Sequence, residues 1–398
     1  MAKQRSDVDA LVRGLARPQK DEQIEKLLET TLAEPLPVEE RLRQVEQILE
    51  TLKGLGLFGK DDAQDLHLLV TLGRTYSRFS HLEKAFETFQ STLILAERLK
   101  DVKTRAEILR QIGRIFRRWS RWEEALDYFD RSWEIYLELN DVQGQASVML
   151  GKGIIFHEQG DYEAAEETYE TALGLAERVG DQKTVANVLR SLAVLATIRG
   201  DFDDAVMRYQ TCLVLFQEAG DVQGIALAYN NLGMTYADKR DWNAALDCYE
   251  RAFGIAQEQG LLDLMANIYL NRAELMLEWE DSSMAASFCA KALDICRKIG
   301  DHLGEADAYR LLGRAFTQRK QWATATQLFQ DSLRLNEEHN NPLDLAETHR
   351  DMGKMYIARG HTAKARTSLD AALAGFRKLG AKADVAEAER LIESLGKG

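Results

Sequence analysis

The sequence predicts an all-α protein, an α-solenoid of stacked helical hairpins. The 398 residues include only four prolines, so the strongest helix breaker is nearly absent. A 40-residue period runs without insertion or deletion from Asp62 to Ala381, which gives eight copies. Within each copy, apolar residues recur twice at helical spacing, on either side of a short polar turn. Each copy is therefore predicted to be a pair of helices.

The composition narrows the classes of function. The chain is 45% hydrophobic and 29% charged, which is typical of a protein that folds. Its formal net charge of −13 argues against nucleic acid as a partner, because phosphate repels a negative surface. No stretch of about 18 apolar residues suggests a membrane span, and the N-terminus lacks a signal-peptide core, so a cytoplasmic protein without a membrane partner is predicted.

Four segments are predicted along the chain. Residues 1–20 form a basic N-terminal segment, and residues 21–61 form a degenerate helical pair. Residues 62–381 contain the eight copies. Residues 382–398 are predicted to be a C-terminal capping helix, because the last repeat of a solenoid would otherwise expose its packing face.

Columns of small residues alternate with columns of large ones. The alanine column is invariant: Ala85, Ala125, Ala165, Ala205, Ala245, Ala285, Ala325 and Ala365. The glycine column holds Gly73, Gly113, Gly153, Ala193, Gly233, Ala273, Gly313 and Gly353. The aromatic column holds Phe89, Phe129, Tyr169, Tyr209, Tyr249 and Phe329, with Cys289 and Leu369 as exceptions. Small residues let helices approach closely and large ones fill the space between them, so we expect these columns to pack together.

The turns have their own pattern, as in the pairs Gly180-Asp181, Gly220-Asp221 and Gly300-Asp301. Glycine adopts the left-handed backbone that ends many helices, and aspartate caps the helix that follows. These pairs are predicted to separate the copies.

The columns resemble the tetratricopeptide repeat, whose motif is matched by Leu232, Gly233, Tyr236, Ala245, Tyr249 and Ala252. The 40-residue length is similar to the extended repeats of Leu-Gly-Asn (Pins-type) scaffold proteins. Copies three, four and six depart from the motif at Lys152, Ala196, Arg272 and Met276. The resemblance implies a right-handed superhelix whose first helices line a concave groove that holds extended peptides or partner helices.

One face of each first helix remains after the packing columns are removed. In copy one it contains positions 67, 70, 71, 74, 77 and 78, and we call the equivalent positions of all copies the first-helix stripe. Basic residues outnumber acidic ones on this stripe. They are Arg74, Arg78, Arg110, Arg114, Arg117, Arg118, Arg190, Arg310, Arg314, Arg350 and Lys354. Arginine binds carboxylates in pairs, so the stripe predicts an acidic partner.

The middle copies carry amides on the same stripe: Asn187, Asn230, Asn231, Asn267 and Asn271. An amide donates and accepts hydrogen bonds, so these side chains could hold the backbone of an extended peptide. Three aromatic residues, Phe79, Trp119 and Trp279, occupy a column that elsewhere carries long polar side chains. They are either partner contacts or local packing under an adjacent arginine.

No catalytic constellation is recognisable, and the sequence predicts no enzyme, no cofactor and no metal site. Phosphate-binding glycine loops, His-Glu-x-x-His and Cys-x-x-Cys are absent from it. Cys289 and Cys296 share a helix face, but Cys289 occupies the aromatic column, which favours a buried thiol over a metal ligand.

Two hypotheses from different classes follow. The first is a scaffold that binds an acidic or extended peptide segment of a partner protein in its groove. The alternative is a regulatory sensor whose groove closes on a small signalling peptide and so controls an effector. The partner, the pathway and the oligomeric state are not predicted by the sequence.

Overall fold

The computed structural model describes residues 24, 26–28, 30, 31, 38–54, 62–78 and 81–395, and in this part of the chain all regular structure is helical. The helices are α1 (Val38–Gly54), α2 (Asp62–Arg78), α3 (Leu82–Leu99), α4 (Val102–Arg118), α5 (Trp122–Glu138), α6 (Val142–Glu158), α7 (Tyr162–Val179), α8 (Gln182–Arg199), α9 (Phe202–Glu218), α10 (Val222–Asp238), α11 (Trp242–Glu258), α12 (Leu262–Glu278), α13 (Ser282–Ile299), α14 (His302–Gln318), α15 (Trp322–Glu338), α16 (Pro342–Arg359), α17 (Thr362–Leu379) and α18 (Lys382–Ser394). Helices α2 to α17 form the eight hairpins, so the predicted all-α fold is confirmed. The predicted basic segment 1–20 lies outside the described residues.

A residue with left-handed backbone follows each helix from α3 to α17. These residues recur every 20 positions along the chain. Eight of these positions are glycine, with φ from 64° at Gly220 to 83° at Gly200. The other seven are Lys100, Ser120, Asn140, Arg240, Glu280, Lys320 and Asn340, with φ from 50° to 61°. Aspartate side chains cap the next helix at Asp101, Asp161, Asp181, Asp221, Asp241, Asp281 and Asp301. The turn pattern thus holds even where glycine is missing.

Within each of the two compact units defined below, the core lies between the helices of a hairpin and between neighbouring hairpins. All eight residues of the alanine column have no exposed surface. The glycine column lies against the aromatic column: a Cβ atom on Gly233 would be 2.7 Å from Cε1 of Tyr249, and one on Gly313 would be 2.6 Å from Cε1 of Phe329. The predicted pairing of small and large columns is confirmed.

The four cysteines belong to this core. Cys212, Cys289 and Cys296 have no exposed surface and Cys248 is 5% exposed. Burial raises the pKa of the Cys289 thiol to about 12, which keeps it protonated. The prediction that Cys289 is a buried thiol is confirmed.

The chain divides into two compact units. One contains the described residues up to Arg118, together with Glu123–Asp141 and Lys298–Gly300; the other contains Trp119–Trp122, Val142–Arg297 and the residues from Asp301 onward. No helix among the described residues combines the length and apolarity that crossing a membrane requires.

Within the second unit, α18 contacts a turn of copy three. The backbone N–H of Lys382 donates to the carbonyl oxygen of Gln159 at 3.0 Å, and its Nζ lies 2.6 Å from Oδ2 of Asp161. The hydrogen bond from Lys382 and that from the Ala164 N–H lower the pKa of Asp161. The contact joins parts of the chain that are 221 residues apart.

Candidate functional site

The first unit carries stripe residues on α2 and α4. Arg74 Nη2 donates to Glu107 Oε1, and Arg110 Nη2 lies 3.8 Å from the same oxygen. Burial opposes ionisation of Glu107, but the hydrogen bond and charge of Arg74, with the charge of Arg110, lower its pKa. Glu107 therefore compensates part of the positive charge of both arginines.

Helix α4 adds a run of arginines on this face, and we call Arg110, Arg114, Arg117 and Arg118 the α4 arginine cluster. Arg114 is exposed, and its hydrogen bond is to Oε1 of Gln111 at 3.4 Å. Within the described part of the chain, Arg114 makes no ion pair. Although Arg114 keeps exposed surface, the protein atoms around it remove part of its hydration, and this loss, together with repulsion from Arg110, Arg117 and Arg118, lowers its pKa to about 10. Arg114 therefore remains charged at neutral pH.

The remaining predicted cation of this unit is Arg78. Arg78 is exposed at the end of α2. Arg118 reaches back to the same helix end, where its Nη1 donates to the carbonyl oxygen of Ser77 at 3.2 Å. The first unit therefore brings all six of its predicted stripe cations onto two neighbouring helices.

In copy seven, Arg310 is surrounded by carboxylates of the chain. Its guanidinium lies 3.0 Å from Asp307, 3.2 Å from Asp351 and 3.4 Å from Glu347, and its side chain is 12% exposed. Asp351 is 5% exposed; burial opposes its ionisation, yet the charges of Arg310, Arg314 and Arg350 outweigh that effect and lower its pKa. This arginine is compensated from within the protein.

The cations of copy eight are paired with the C-terminal helix. Arg350 Nη1 lies 2.5 Å from Asp384 Oδ1 and 3.1 Å from Glu387 Oε2, while Lys354 Nζ lies 2.8 Å from Glu387 Oε1. Asp384 and Glu387 belong to α18, which lies outside the eight copies, so neither residue occupies a position of the first-helix stripe. The positive charge predicted for this end of the stripe is largely neutralised.

The stripe amides of copies five and six come together. Asn271 Nδ2 donates to Asn230 Oδ1 at 2.9 Å, and Asn230 Nδ2 donates to Asn231 Oδ1 at 3.5 Å. Asn267 is exposed on the same helix as Asn271. Asn187 instead donates to the carbonyl oxygen of Lys183 in its own helix. Two adjacent copies therefore contain a connected set of amides, of which Asn230, predicted to line the groove, is buried at 6% exposure.

Arg190 of copy four is partly buried, and its Nε has no hydrogen-bond partner among the described residues. Arg314 of copy seven reaches back to copy six, where Nη1 lies 2.7 Å from Glu274 Oε1 and Nη2 lies 3.4 Å from Glu278 Oε1. The charge of Arg314 is therefore compensated by two carboxylates, whereas Arg190 leaves its Nε without a hydrogen-bond partner among the described residues.

The three candidate aromatic contacts have different surroundings. Trp279 is 50% exposed and stacks on Trp242, with 6.3 Å between ring centroids and 16° between the planes. Trp119 is half-buried. Phe79 lies outside the described residues. Trp279 therefore packs against Trp242 and still leaves half of its surface available for a partner.

The chain matches two family models of helical repeats. A family model described as a MalT-like TPR region matches residues 181–379, and a tetratricopeptide repeat model matches residues 66–138 and 104–178. No curated protein sequence matches the chain.

Several solved structures share the fold. A Rap protein complexed with Competence and Sporulation Factor is 14% identical with a TM-score of 0.59, over 87% of this chain and 99% of that one. Aspartyl phosphate phosphatase F from Bacillus subtilis is 12% identical with a TM-score of 0.55, over 92% and 97%. The apo form of the quorum sensor NprR from B. thuringiensis is 15% identical with a TM-score of 0.53, over 88% and 99%.

Proposed function

Because the chain belongs to the tetratricopeptide repeat family, we propose that it is a protein-interaction scaffold that binds an extended, acidic peptide segment of a partner on its first-helix stripe. Stacked hairpins place many first helices side by side, which provides a long surface for an extended ligand. Recognition then depends on which side chains that surface presents.

The observation that carries the proposal is the α4 arginine cluster. Arg114 is exposed, flanked by three other guanidinium groups and, among the described residues, without an ion pair. Mutual repulsion of this kind raises the free energy of the unliganded surface, and an incoming carboxylate relieves it. A planar guanidinium can bind such a carboxylate through two parallel hydrogen bonds.

The amides of copies five and six support an extended ligand. Asn231 and Asn267 could add hydrogen bonds to peptide N–H and C=O groups, which are present in every sequence. Backbone contacts of this kind fix the path of a peptide along the second unit, whereas the α4 arginines of the first unit select by themselves for a negatively charged segment. We infer that the chain acts by binding rather than by catalysis.

The sensor hypothesis is the second candidate, and two of the similar solved structures favour it. One is a Rap protein complexed with Competence and Sporulation Factor, and another is the quorum sensor NprR. A sensor that closes on its ligand should become more compact, whereas a rigid scaffold should not. Small-angle scattering with and without bound peptide distinguishes the two.

The cytoplasm remains our proposed compartment. All four cysteines are unpaired thiols, as is usual for proteins of a reducing environment.

The experiment that tests the binding proposal uses a fluorescein-labelled peptide of alternating glutamate and alanine. We expect its anisotropy to rise with protein concentration and binding to weaken with added salt. Arg114→Gln should weaken binding about tenfold, because a charge-assisted hydrogen bond is lost. Arg131→Gln is the matched control, since Arg131 is half-exposed on the second helix α5 of the same copy.

Two results would overturn the binding proposal, and a third experiment identifies the partners. Equal weakening by Arg114→Gln and Arg131→Gln would show nonspecific attraction and overturn the site. Absence of binding to the acidic peptide, with binding to an uncharged one, would overturn the predicted acidic character. Capture of partners from native lysate, repeated with Arg114→Gln, then identifies those whose binding depends on the cluster.

A further inference from the structure

A cavity of about 250 Å³ lies on the stripe in the second unit, between copies five and six. It opens among helices α10, α11 and α12. Its lining includes Met234, Asp238, Trp242, Tyr249, Asn271 and Glu278. The cavity combines carboxylates with aromatic rings, which sets it apart from the arginine-rich surface of α4.

The charge of this cavity is incompletely balanced. Asp238, Glu274 and Glu278 contribute three carboxylates, and Arg314 contacts the last two. Asp238 makes no ion pair or hydrogen bond to any described residue. Asp238 is itself exposed, and partial loss of hydration and then the charges of Glu274 and Glu278 raise its pKa. One guanidinium facing three carboxylates leaves a site that favours an additional cation.

The back of the cavity contains an unpartnered hydroxyl. Tyr249 is 1% exposed, lines the cavity, and its Oη forms no hydrogen bond within the described chain. Burial raises its pKa, so it remains a neutral phenol whose oxygen can accept a hydrogen bond. A ligand donor that reaches this oxygen would therefore gain a hydrogen bond that the described chain does not supply.

The wall of the cavity suits a flat cation. Trp242 lines it and is held in place by stacking on Trp279. Tryptophan faces attract cations, arginine in particular. In the part of the chain that the structure describes, no three His, Cys, Asp or Glu side chains are placed to hold a metal ion, which favours an organic cation.

We propose that this cavity binds one guanidinium group, the side chain of an arginine in a peptide that lies along the stripe. Asp238 and Glu278 would accept its N–H donors, Tyr249 Oη would accept another, and the plane would face Trp242. Asn271 lines the cavity and donates to Asn230, so the pocket is continuous with the amides assigned to the peptide backbone. The inference rests on the proposed function and adds to it a basic residue in the bound segment.

The test uses N-acetyl-arginine amide as the probe and N-acetyl-citrulline amide as its neutral isostere. In protein labelled with ¹³C at methionine methyls, Met234 reports on the cavity because it lines it and is 43% exposed. Met207, 58% exposed on α9, is the internal control. We expect the arginine probe to shift the Met234 resonance saturably and to leave Met207 unchanged. The citrulline probe should shift neither.

Variants then assign the contacts. Asp238→Asn combined with Glu278→Gln should raise the dissociation constant at least about tenfold, since two charged acceptors are lost. Tyr249→Phe keeps the ring and should raise it severalfold. Glu258→Gln, at the exposed end of α11, is the matched control and should have no effect.

Failure of this inference differs from failure of the proposed function. An equal Met234 response to arginine and citrulline, no response to either, or unchanged affinity in the Asp238 and Glu278 variant would overturn the guanidinium site. The acidic peptide assay on Arg114 does not use this cavity. A protein that binds the acidic peptide but not N-acetyl-arginine amide would retain the scaffold proposal alone.

Discussion

Gly233 and Tyr249, 16 positions apart in copy five, are in such close contact that the glycine cannot carry a side chain without displacing the ring. A Cβ atom on Gly233 would lie 2.7 Å from Cε1 and 2.8 Å from Cδ1 of Tyr249. The ring is itself buried and bounds the cavity on the stripe. The packing of one hairpin therefore determines where its candidate ligand pocket ends.

We predict that Gly233→Ala destabilises the protein by about 1 to 3 kcal/mol, because overpacking outweighs the better helix propensity of alanine. Gly254→Ala is the matched control in the same hairpin, since nothing lies within 4 Å of a Cβ atom there. It should be neutral or stabilise by up to about 1 kcal/mol. Urea unfolding measures both. Equal effects would contradict the contact.

The left-handed turns predict that the gain of a glycine at one site and the loss of a glycine at another change stability in opposite directions. Lys320 has φ of 58°, which costs a side chain about 1 to 2 kcal/mol, so Lys320→Gly should stabilise by a few tenths to about 1 kcal/mol after the entropy cost of glycine. Gly360 has φ of 78°, so Gly360→Ala should destabilise by about 1 to 2 kcal/mol. Thermal unfolding gives both signs, and a loss of stability in Lys320→Gly would refute the assignment.

The carboxylates of copies seven and eight predict a pH dependence. Burial, then the charges of Asp307 and Glu347, raise the pKa of Asp344 well above its ordinary value. A carboxyl whose pKa rises on folding destabilises the native state above the folded pKa, and this penalty disappears as pH falls below the unfolded pKa. Asp344→Asn should therefore raise the melting temperature at pH 8 and have little effect near pH 4. The same increase at both values would show that charge is not the cause.

The amides predict a loss of affinity that does not depend on peptide sequence. Asn231→Ala should weaken the acidic probe and a scrambled peptide of the same charge by the same factor, roughly three- to tenfold. The reason is that an amide contacts the backbone rather than particular side chains. Anisotropy titrations measure both ratios. Weakening of one peptide alone would indicate side-chain recognition instead.

The repeat made the fold predictable, because a period identifies which residues share a face. The contact of Gly233 with Tyr249 and the burial of the alanine column follow from it directly. The non-glycine left-handed residues did not follow, since Glu280 and Lys320 offer no local signal for positive φ. These two residues nevertheless lie at the same position of the 20-residue turn spacing as the left-handed glycines.

The stripe was predictable in position but not in charge. A column count places Arg350 on the stripe, yet it does not reveal that Asp384 and Glu387 reach it from α18. Nor does it reveal the cavity beside Tyr249, which depends on the separation of three helices. Periodicity specifies which face of its helix a side chain lies on. Whether its charge is compensated depends instead on the distance to side chains of other helices.

The contact of Lys382 with Gln159 and Asp161 affects how the second unit comes apart. In a linear array that touches only nearest neighbours, the terminal helix frays first and fraying moves inward one repeat at a time. Here α18 also contacts the turn of copy three, so fraying of α18 must break a contact with residues that are far from it in the sequence. Opening at one site is thereby linked to opening at the other, and we expect the intervening repeats to lose structure more cooperatively than their pairwise packing alone would require.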